Sequence, residues 1–325
     1  MARRHRRGRP VHGILLLDKP SGGSSNHALQ KAKRLFGAAK AGHTGSLDPL
    51  ATGMLPICFG ETTKLAGFLL DADKGYETTL KLGVTTNSAD SDGEVLDTKA
   101  IPSTLDLEQF VSICKSFTGR LMQMPPMVSA IKIDGKRLYK LAREGKEVDR
   151  PPRPVFISKL EVLSFSGDSA RLAVRCSKGT YIRSLVTDIG DAIGCGAHVT
   201  ALRRTFVSPF EQSPMITLDT LEQMCAGIQD VPEDVTPDPS LFWPALDALL
   251  LAPDAGLGHL PIAVLDEPGT QAFLHGNSAS CAIKEADDVA VGTLCRIYGS
   301  TGHLAGLGEL DDAGMISPRR VLQWG

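Results

Sequence analysis

The sequence predicts an α+β chain: a mixed, largely antiparallel central sheet flanked by helices, followed by a small C-terminal all-β unit. Three observations carry this. Runs with the period-2 alternation of strands and runs with helical i, i+3, i+4 spacing follow one another without a regular β-α-β alternation. From about Leu260 the pattern changes to short strands with glycine-rich turns. At 325 residues and 42% hydrophobic content, the chain is long enough for one large core and one small one.

Composition excludes several function classes. The formal net charge is -2, so bulk charge points to no polyanionic partner and any nucleic-acid surface must be a local basic patch. No apolar run is long enough to span a bilayer and no signal-peptide pattern is present, so no membrane association is expected. The seven cysteines are scattered without a C-x-x-C, the usage of reduced thiols in a cytoplasmic protein. Cys195 and His198 would make half a metal site, but no second pair has suitable spacing.

In chain order, residues 1–10 carry five arginines and no large apolar side chain beyond Met1, the composition of an arm that is disordered when free. It is either a basic arm that neutralises RNA phosphates or a solvated tail. Residues 13–18 form an apolar run that reads as a buried strand ending in the Asp18–Gly22 turn. Ser24 or Ser25 then caps a helix to about Phe36, with Ala28, Ala32 and Leu35 on one face. Lys19 sits where that strand meets the turn.

Residues 42–53 read G-H-T-G-S-L-D-P-L-A-T-G. Three glycines in twelve residues argue for a tight, shaped loop, and Pro49 biases Asp48 towards extended or turn backbone. Leu47, Leu50, Met54 and Leu55 anchor the loop against a core. An acid held in partly apolar surroundings is a candidate nucleophile or base, and equally a turn cap.

Thr62 caps a short helix carrying Leu65, Phe68 and Leu69, with Lys64 on its early turn, placed for RNA contact or plain solvation. Tyr76, Thr78, Leu80 and Leu82 mark a strand over 74–84. Asp90-Ser-Asp-Gly93 is a polar loop; in a calcium register Ser88 and Lys99 would stand where two ligands are needed. Asp106 opens a helix with Phe110, Val111, Cys114 and Phe117 inward.

Pro125-Pro126 forbids a helix, a strand is expected over 129–133, and a helix over 137–144 ends at Gly145. Lys132, Lys136, Arg137, Lys140 and Arg143 crowd this segment with positive charge. Strands follow at 155–165 and 169–176, then a helix with Ile182, Leu185, Val186, Ile189 and Ile193 inward and Gly194 as its end. Tyr181 and Arg183 fall on its first turn, off that stripe. A cation there opposes the helix dipole, which points to a specific anionic partner for Arg183. His198–Arg204 reads as a strand, 217–226 as a helix, and 241–251 as an apolar segment between Asp/Pro-rich linkers. Strands at 261–265, 289–297, 303–309 and 316–321 complete the chain.

The 42–53 string closely resembles the catalytic motif of the TruB family, the tRNA pseudouridine synthases that act on uridine 55 of the T loop. D-K-P-x-G at 18–22, D-x-D-G at 90–93, the Gln123–Arg143 pattern and G-T-Y-I-R-S at 179–184 match the same family. The resemblance implies the pseudouridine synthase fold and, more loosely, a PUA-like RNA-binding module at the C-terminus. It implies Asp48, Tyr76 and Arg183 as catalytic residues. Asp48 is the reacting carboxylate, ion-paired by Arg183, and Tyr76 packs on the target base and is placed for proton transfer. It implies substrate contacts from His43, which enters the T-loop stack, from Lys19, Lys64 and Tyr181, and from Leu202, which lines the uracil pocket.

Isomerising uridine to pseudouridine breaks the C1′–N1 bond and makes C1′–C5 without net redox change, so no cofactor and no metal are expected. The expected partner is the T stem-loop of tRNA, bound by a monomer. Domains are expected at 1–10 (basic arm), 11–257 (catalytic, including a helical segment at 210–257) and 258–325 (PUA-like). Two alternatives stand beside this: a non-catalytic tRNA-binding or folding module, and a guide-RNA-dependent pseudouridine synthase subunit. The joint presence of Asp48, Tyr76 and Arg183 favours an enzyme.

Overall fold

The run of buried aliphatic residues at the start of the chain forms the strand Gly13–Lys19 (β1), the scaffold for everything around the Gly-rich loop. The computed structural model describes residues 8–129, 132–133, 136–138, 148–226, 241–284 and 289–324. Helix Ser25–Leu35 (α1) follows, with Ser24 accepting a bond from the His27 amide as its N-cap. Then come Ala41–His43 (β2), Thr52–Phe59 (β3), a 3-10 turn at Gly60–Lys64, and the short helix Ala66–Leu70 (α2). Next are Lys74–Leu82 (β4), Val84–Thr86 (β5), Val95–Thr98 (β6), helix Leu107–Ser116 (α3) and Gly119–Gln123 (β7). Lys132–Ile133 (β8) pairs with Lys136–Arg137 (β9). Arg153–Phe165 (β10) and Ser169–Cys176 (β11) form a long hairpin, followed by helix Ile182–Ile193 (α4) and Ala197–Val207 (β12). Ile216–Thr217 (β13), Leu218–Ala226 (α5) and Trp243–Asp247 (α6) close this part.

Among the described residues nine strands make the central sheet, in the order β13-β1-β3-β12-β4-β11-β10-β7, with β2 also on β3. Within it only β1–β13 and β3–β12 pair in parallel; the rest are antiparallel. Leu15 and Leu17 enter a core with α1 and α4, while Ile14 and Leu16 pack on the other face with Met54 and Val207, the alternation expected of a strand covered on both sides. The parallel β3–β12 contact brings Gly53 against Arg204 so closely that a Cβ there would lie 2.2 Å from the Arg204 carbonyl oxygen, and Gly53 has φ +99.

The C-terminal unit is a six-stranded sheet: Ile262–Val264 (β14), Ala279–Ser280 (β15), Ala282–Lys284 (β16), Leu294–Tyr298 (β17), Leu304–Leu310 (β18) and Met315–Val321 (β19). One helix, Glu267–Leu274 (α7), packs Phe273 into its core, which the strand pattern does not show. This unit is tied to the preceding part of the chain. The Asp254 carboxylate accepts from Tyr298 Oη (2.5 Å) and Arg296 Nη1 (3.1 Å), and the Glu61 carboxylate accepts from the Gln323 amide.

Several expectations change. Thr62 does not cap a helix: it is buried inside the 3-10 turn, and its hydroxyl accepts from the Gly13 amide at 3.0 Å. Arg137 lies in a two-stranded ladder and the helical state begins one residue later, at Leu138; residues 139–147, most of the expected 137–144 helix, lie outside the described residues, as do residues 1–7 of the arm. The strand expected at 289–297 begins at Leu294. Arg183 is buried rather than off the helix's inner stripe, and Tyr181 is the N-cap residue rather than part of the first turn. Strands β3, β6 and β7 have no counterpart in the sequence-based reading. The Met54–Phe59 run M-L-P-I-C-F contains a proline, which masks its strand character. Pro56 has no N–H to give, but its carbonyl still accepts from the Thr44 amide at 3.1 Å.

Candidate active site

Residues 44–51 connect β2 to β3 and are held from every side. The Ser25 hydroxyl accepts from the Leu47 amide (2.7 Å) and donates to its carbonyl (3.1 Å). The Thr44 amide donates to Pro56, the Gly22 amide to Pro49 and the Ala51 amide to Asp48. Lys19, only 1% exposed, donates from Nζ to the carbonyls of Pro20 (2.9 Å), Ala51 (2.8 Å) and Pro49 (3.3 Å). Lys19 is thus a clasp under the loop, not a solvated lysine. Burial pulls its ammonium down to about 8, against the opposing pull of Asp48.

Arg183 meets Asp48 across the cleft. Its Nη2 donates to Asp48 Oδ1 at 3.0 Å, and its Nε lies 2.9 Å from Oδ2 as an ion-pair contact without hydrogen-bond geometry. Two further bonds go to the carbonyls of Ser88 (Nη1, 2.8 Å) and Val128 (Nη2, 2.8 Å). The Arg183 side chain is 2% exposed and that of Asp48 34%, so the acid faces the open cleft while its partner is sealed behind it. Burial pushes the Asp48 carboxyl above the usual carboxylate range; Arg183, and then Lys19, pull it back without cancelling that rise. The expected deprotonating influence of Arg183 is present, but it is outweighed.

The helix start that delivers Arg183 is fixed by Gln123, at the end of β7. Its side-chain amide accepts from the Tyr181 N–H (2.7 Å) and donates to the Tyr181 carbonyl (3.0 Å). Ser184 donates to the Met124 carbonyl at 2.8 Å. Gly194, at φ 92, ends the helix in the left-handed conformation. Burial raises the Tyr181 hydroxyl's pKa, while a bond with Ser129 and the Arg183 charge oppose it.

Tyr76 lies on β4, in register with Arg204 of β12, and is buried. Arg204 donates to Met54 (Nε, 2.6 Å) and Gly45 (Nη2, 3.1 Å) carbonyls and bonds the Tyr76 hydroxyl. Burial pushes the phenol pKa up, so Tyr76 stays neutral despite that cation. His43 ends β2 opposite Ile57; burial, then Arg204, lower its pKa, which leaves a neutral ring. Leu202, in register with Thr78, lines a cavity of about 350 Å³ with Leu50, Thr52, Ser21 and Arg203; Asp48 does not line it. Lys64 is not brought to this group. It pairs with Glu61 and donates to the Val321 carbonyl at 2.9 Å, so it joins the two parts of the chain.

Three residues at this site escape a reading of the sequence. Arg204 is visible there only as one of two adjacent arginines on a strand, of which period 2 sends one inward. Asp90, buried, sits 3.7 Å from Arg183 Nε, with its other oxygen bonded by the Ser88 hydroxyl (2.5 Å) and the Asp92 amide (3.1 Å). Its position in a D-x-D-G loop suggests only a turn. Gln123 carries no local signal, because its role depends on a helix start 58 residues away.

Residues 33–182 match the N-terminal domain of TruB family pseudouridylate synthases, residues 183–257 the C-terminal domain of tRNA pseudouridylate synthase B, and residues 261–322 the C-terminal domain of pseudouridine synthase II TruB. Over 325 residues the chain is 49% identical to the tRNA pseudouridine synthase B of Stutzerimonas stutzeri, with 99% of each chain covered. It is 47% identical to that of Aeromonas salmonicida, over 100% of this chain and 98% of the other. Among solved structures, an H/ACA RNP bound to a substrate RNA containing 2′-deoxyuridine has a chain of the same fold. Its TM-score is 0.69 at 23% identity, covering 99% of this chain and 92% of that one.

Proposed function

The chain belongs to the TruB family and is a tRNA pseudouridine synthase, and we propose that it acts on uridine 55 of the T loop, as a monomer in the cytoplasm, with Asp48 as the reacting carboxylate. The observation that carries this is the pairing of a sealed guanidinium with an acid that stays open to the cleft. The Asp48 carboxylate presents an edge to the cleft while the guanidinium that holds it is sealed behind it.

The chemistry asks little else of the protein. The C1′–N1 bond breaks, C1′–C5 forms, C5 gives up its proton and N1 gains one, so atoms and electrons balance within the nucleotide and water. The target base must first leave its stack, at a cost of a few kcal/mol. Stacking on an aromatic ring returns about 1–3 kcal/mol. Tyr76, neutral and fixed by Arg204, is suited to that and to moving the C5 proton; neutral His43 is suited to stacking in the loop the base has left. Leu202 supplies an apolar wall. On this reading residues 11–257 perform the reaction and residues 258–325 form an RNA-binding unit of PUA type.

The test is Asp48→Asn with a T-arm transcript carrying C5-tritiated uridine. The purified wild-type chain is expected to release tritium from the bare transcript, which neither a pure binding module nor a guide-dependent subunit would do. Asp48→Asn is expected to bind the transcript with wild-type affinity and release none; substantial release would overturn the assignment.

A further inference from the structure

The segment that follows β7 is strapped to the start of α4. Besides the clamp that Gln123 closes on the Tyr181 backbone, the Met124 carbonyl accepts from the Ser184 hydroxyl (2.8 Å) and the Val128 carbonyl from Arg183 Nη2 (2.8 Å). The Pro125 carbonyl accepts from Arg150 Nη1 at 3.0 Å. The next residue after Val128 is Ser129, whose amide turns back to the Met127 carbonyl at 3.0 Å. Ser129 is 6% exposed, and its Oγ is buried with no hydrogen-bond partner. The Tyr181 phenol stands beside it, near enough for Ser129 to act on its ionisation, but the contact stops short of hydrogen-bond geometry.

An unsatisfied hydroxyl at that depth asks for a reason, because buried polar side chains as a rule find a partner. Other serines around the site follow the rule: Ser25 bonds Leu47, Ser88 bonds Asp90 and Ser184 bonds Met124. The position of Ser129 supplies the reason. Arg183 Nη2 donates both to Asp48 Oδ1 and to the Val128 carbonyl, so those two oxygens lie within about 6 Å of one another, the two bonds laid end to end. Ser129 follows directly on that carbonyl. The Tyr181 phenol feels the charges of Arg183 and Asp48 as well as Ser129, and Tyr181 is partly exposed while Ser129 is sealed. Gln123 locks the Tyr181 backbone at both its N–H and its carbonyl, so the phenol end is the part still to be fixed.

We propose that Ser129 is the positioning residue of the Tyr181 phenol: with RNA bound, its hydroxyl donates to Tyr181 Oη and so aims the phenol's own O–H at the ribose 2′-hydroxyl of the target nucleotide. The inference rests on the reading of Asp48 given above. A carboxylate that acts at C1′ needs the sugar over it, and the 2′-hydroxyl is borne by the neighbouring carbon. Tyr76 and Leu202, suited to the base, come from β4 and β12; the groups that come with Arg183 are left to meet the sugar. A hydroxyl both donates and accepts, and the 2′-hydroxyl is the group that tells RNA from DNA. Two hydroxyls in series polarise one another, which strengthens the bond at the far end.

The test is a cycle of protein and substrate changes. Affinities are measured in the Asp48→Asn background for T-arm transcripts carrying uridine or 2′-deoxyuridine at the target position. Tyr181→Phe is expected to weaken binding of the uridine transcript about tenfold and Ser129→Ala about fivefold, the worth of one neutral hydrogen bond. The double variant is expected to be no weaker than Tyr181→Phe alone, and neither change is expected to move the deoxy transcript by as much as twofold. Ser129→Cys, which fills the same space with a weaker donor, is the second variant and is expected to lose part of the same preference. Equal weakening on both transcripts, or losses that multiply in the double variant, would overturn the proposal. Tritium release by the chain with Asp48 intact is followed alongside. No release from the uridine transcript would sink the functional reading; release together with an undiminished preference for uridine in Ser129→Ala would sink this inference alone.

Discussion

Arg183→Lys keeps the positive charge and removes the fork. In the native chain two guanidinium nitrogens donate to three oxygens at 3.0 Å or less, Asp48 Oδ1 and the carbonyls of Ser88 and Val128, and Nε stands 2.9 Å from Asp48 Oδ2. A lysine ammonium is a single point on a shorter reach and cannot span the carboxylate and both carbonyls, so at least two charge-assisted hydrogen bonds disappear. Such bonds are worth about 1.5–3 kcal/mol each, and the lower end applies because a third of the Asp48 side chain meets solvent. The sum is about 3 kcal/mol, or roughly a hundredfold in rate at about 1.4 kcal/mol per decade. The pH profile moves as well. The reacting role proposed for Asp48 requires its ionised form, and its pKa is raised by burial and held back chiefly by Arg183. Weakening that restraint raises the pKa further, so activity falls away at a higher pH as the medium is acidified. The assay is single-turnover tritium release from C5-labelled tRNA over the acid and neutral range. A variant within threefold of wild type at all pH values, or an acid limb displaced downwards, would refute the reasoning.

Lys19, with its ammonium pulled down to about 8, is charged below that pH and loses its proton as pH rises through it, so the wild-type rate is expected to decline on the alkaline side near 8. Lys19→Met should run more slowly throughout and lack that alkaline limb; a limb that persists would assign it elsewhere. Asp90→Asn keeps the shape of a residue 3.7 Å from Arg183 Nε but removes a charge that raises the Asp48 pKa, and should move the acid limb of the rate to lower pH with RNA affinity unchanged in a filter-binding assay; an acid limb that stays or rises would refute this. Tyr298→Phe deletes the hydroxyl bonded to buried Asp254, at a cost of about 1–2 kcal/mol, and should lower the thermal unfolding midpoint by a few degrees; an unchanged midpoint would show that Arg296 alone satisfies Asp254.

Legibility in the sequence follows the range of the interactions. The strand at 13–19, the helix capped by Ser24, the helix capped by Asp106 and the Gly194 stop are readable because each rests on residues within one or two turns of one another. So is the need of Arg183 for an anionic partner, since its position against the helix dipole is a local conflict. Strand β3 is hidden because Gly53 and Pro56 read locally as loop residues. Gly53 is required there by Arg204, 151 positions later, which approaches too closely for any side chain. Asp90, Gln123 and Arg204 are illegible for the same reason. Each is polar, ordinary among its sequence neighbours, and given its role by register between distant elements.

Those long-range contacts explain how an acid can be both exposed and fixed. The Asp48 loop has almost no secondary structure of its own, so its order comes from outside: Ser25 of α1 grips Leu47, Lys19 of β1 grips Pro49 and Ala51, and Arg204 of β12 grips Gly45. Each grip lands on a backbone group, which leaves the Asp48 carboxylate with Arg183 as its main partner. Buried cations satisfied by carbonyls rather than by carboxylates keep their charge available to the cleft. Lys19 and Arg204 therefore set the local potential while holding the loop, and Arg183 directs its charge to the acid itself. A substitution that loosens any grip is expected to act through the position of Asp48, and should lower kcat before it lowers RNA affinity.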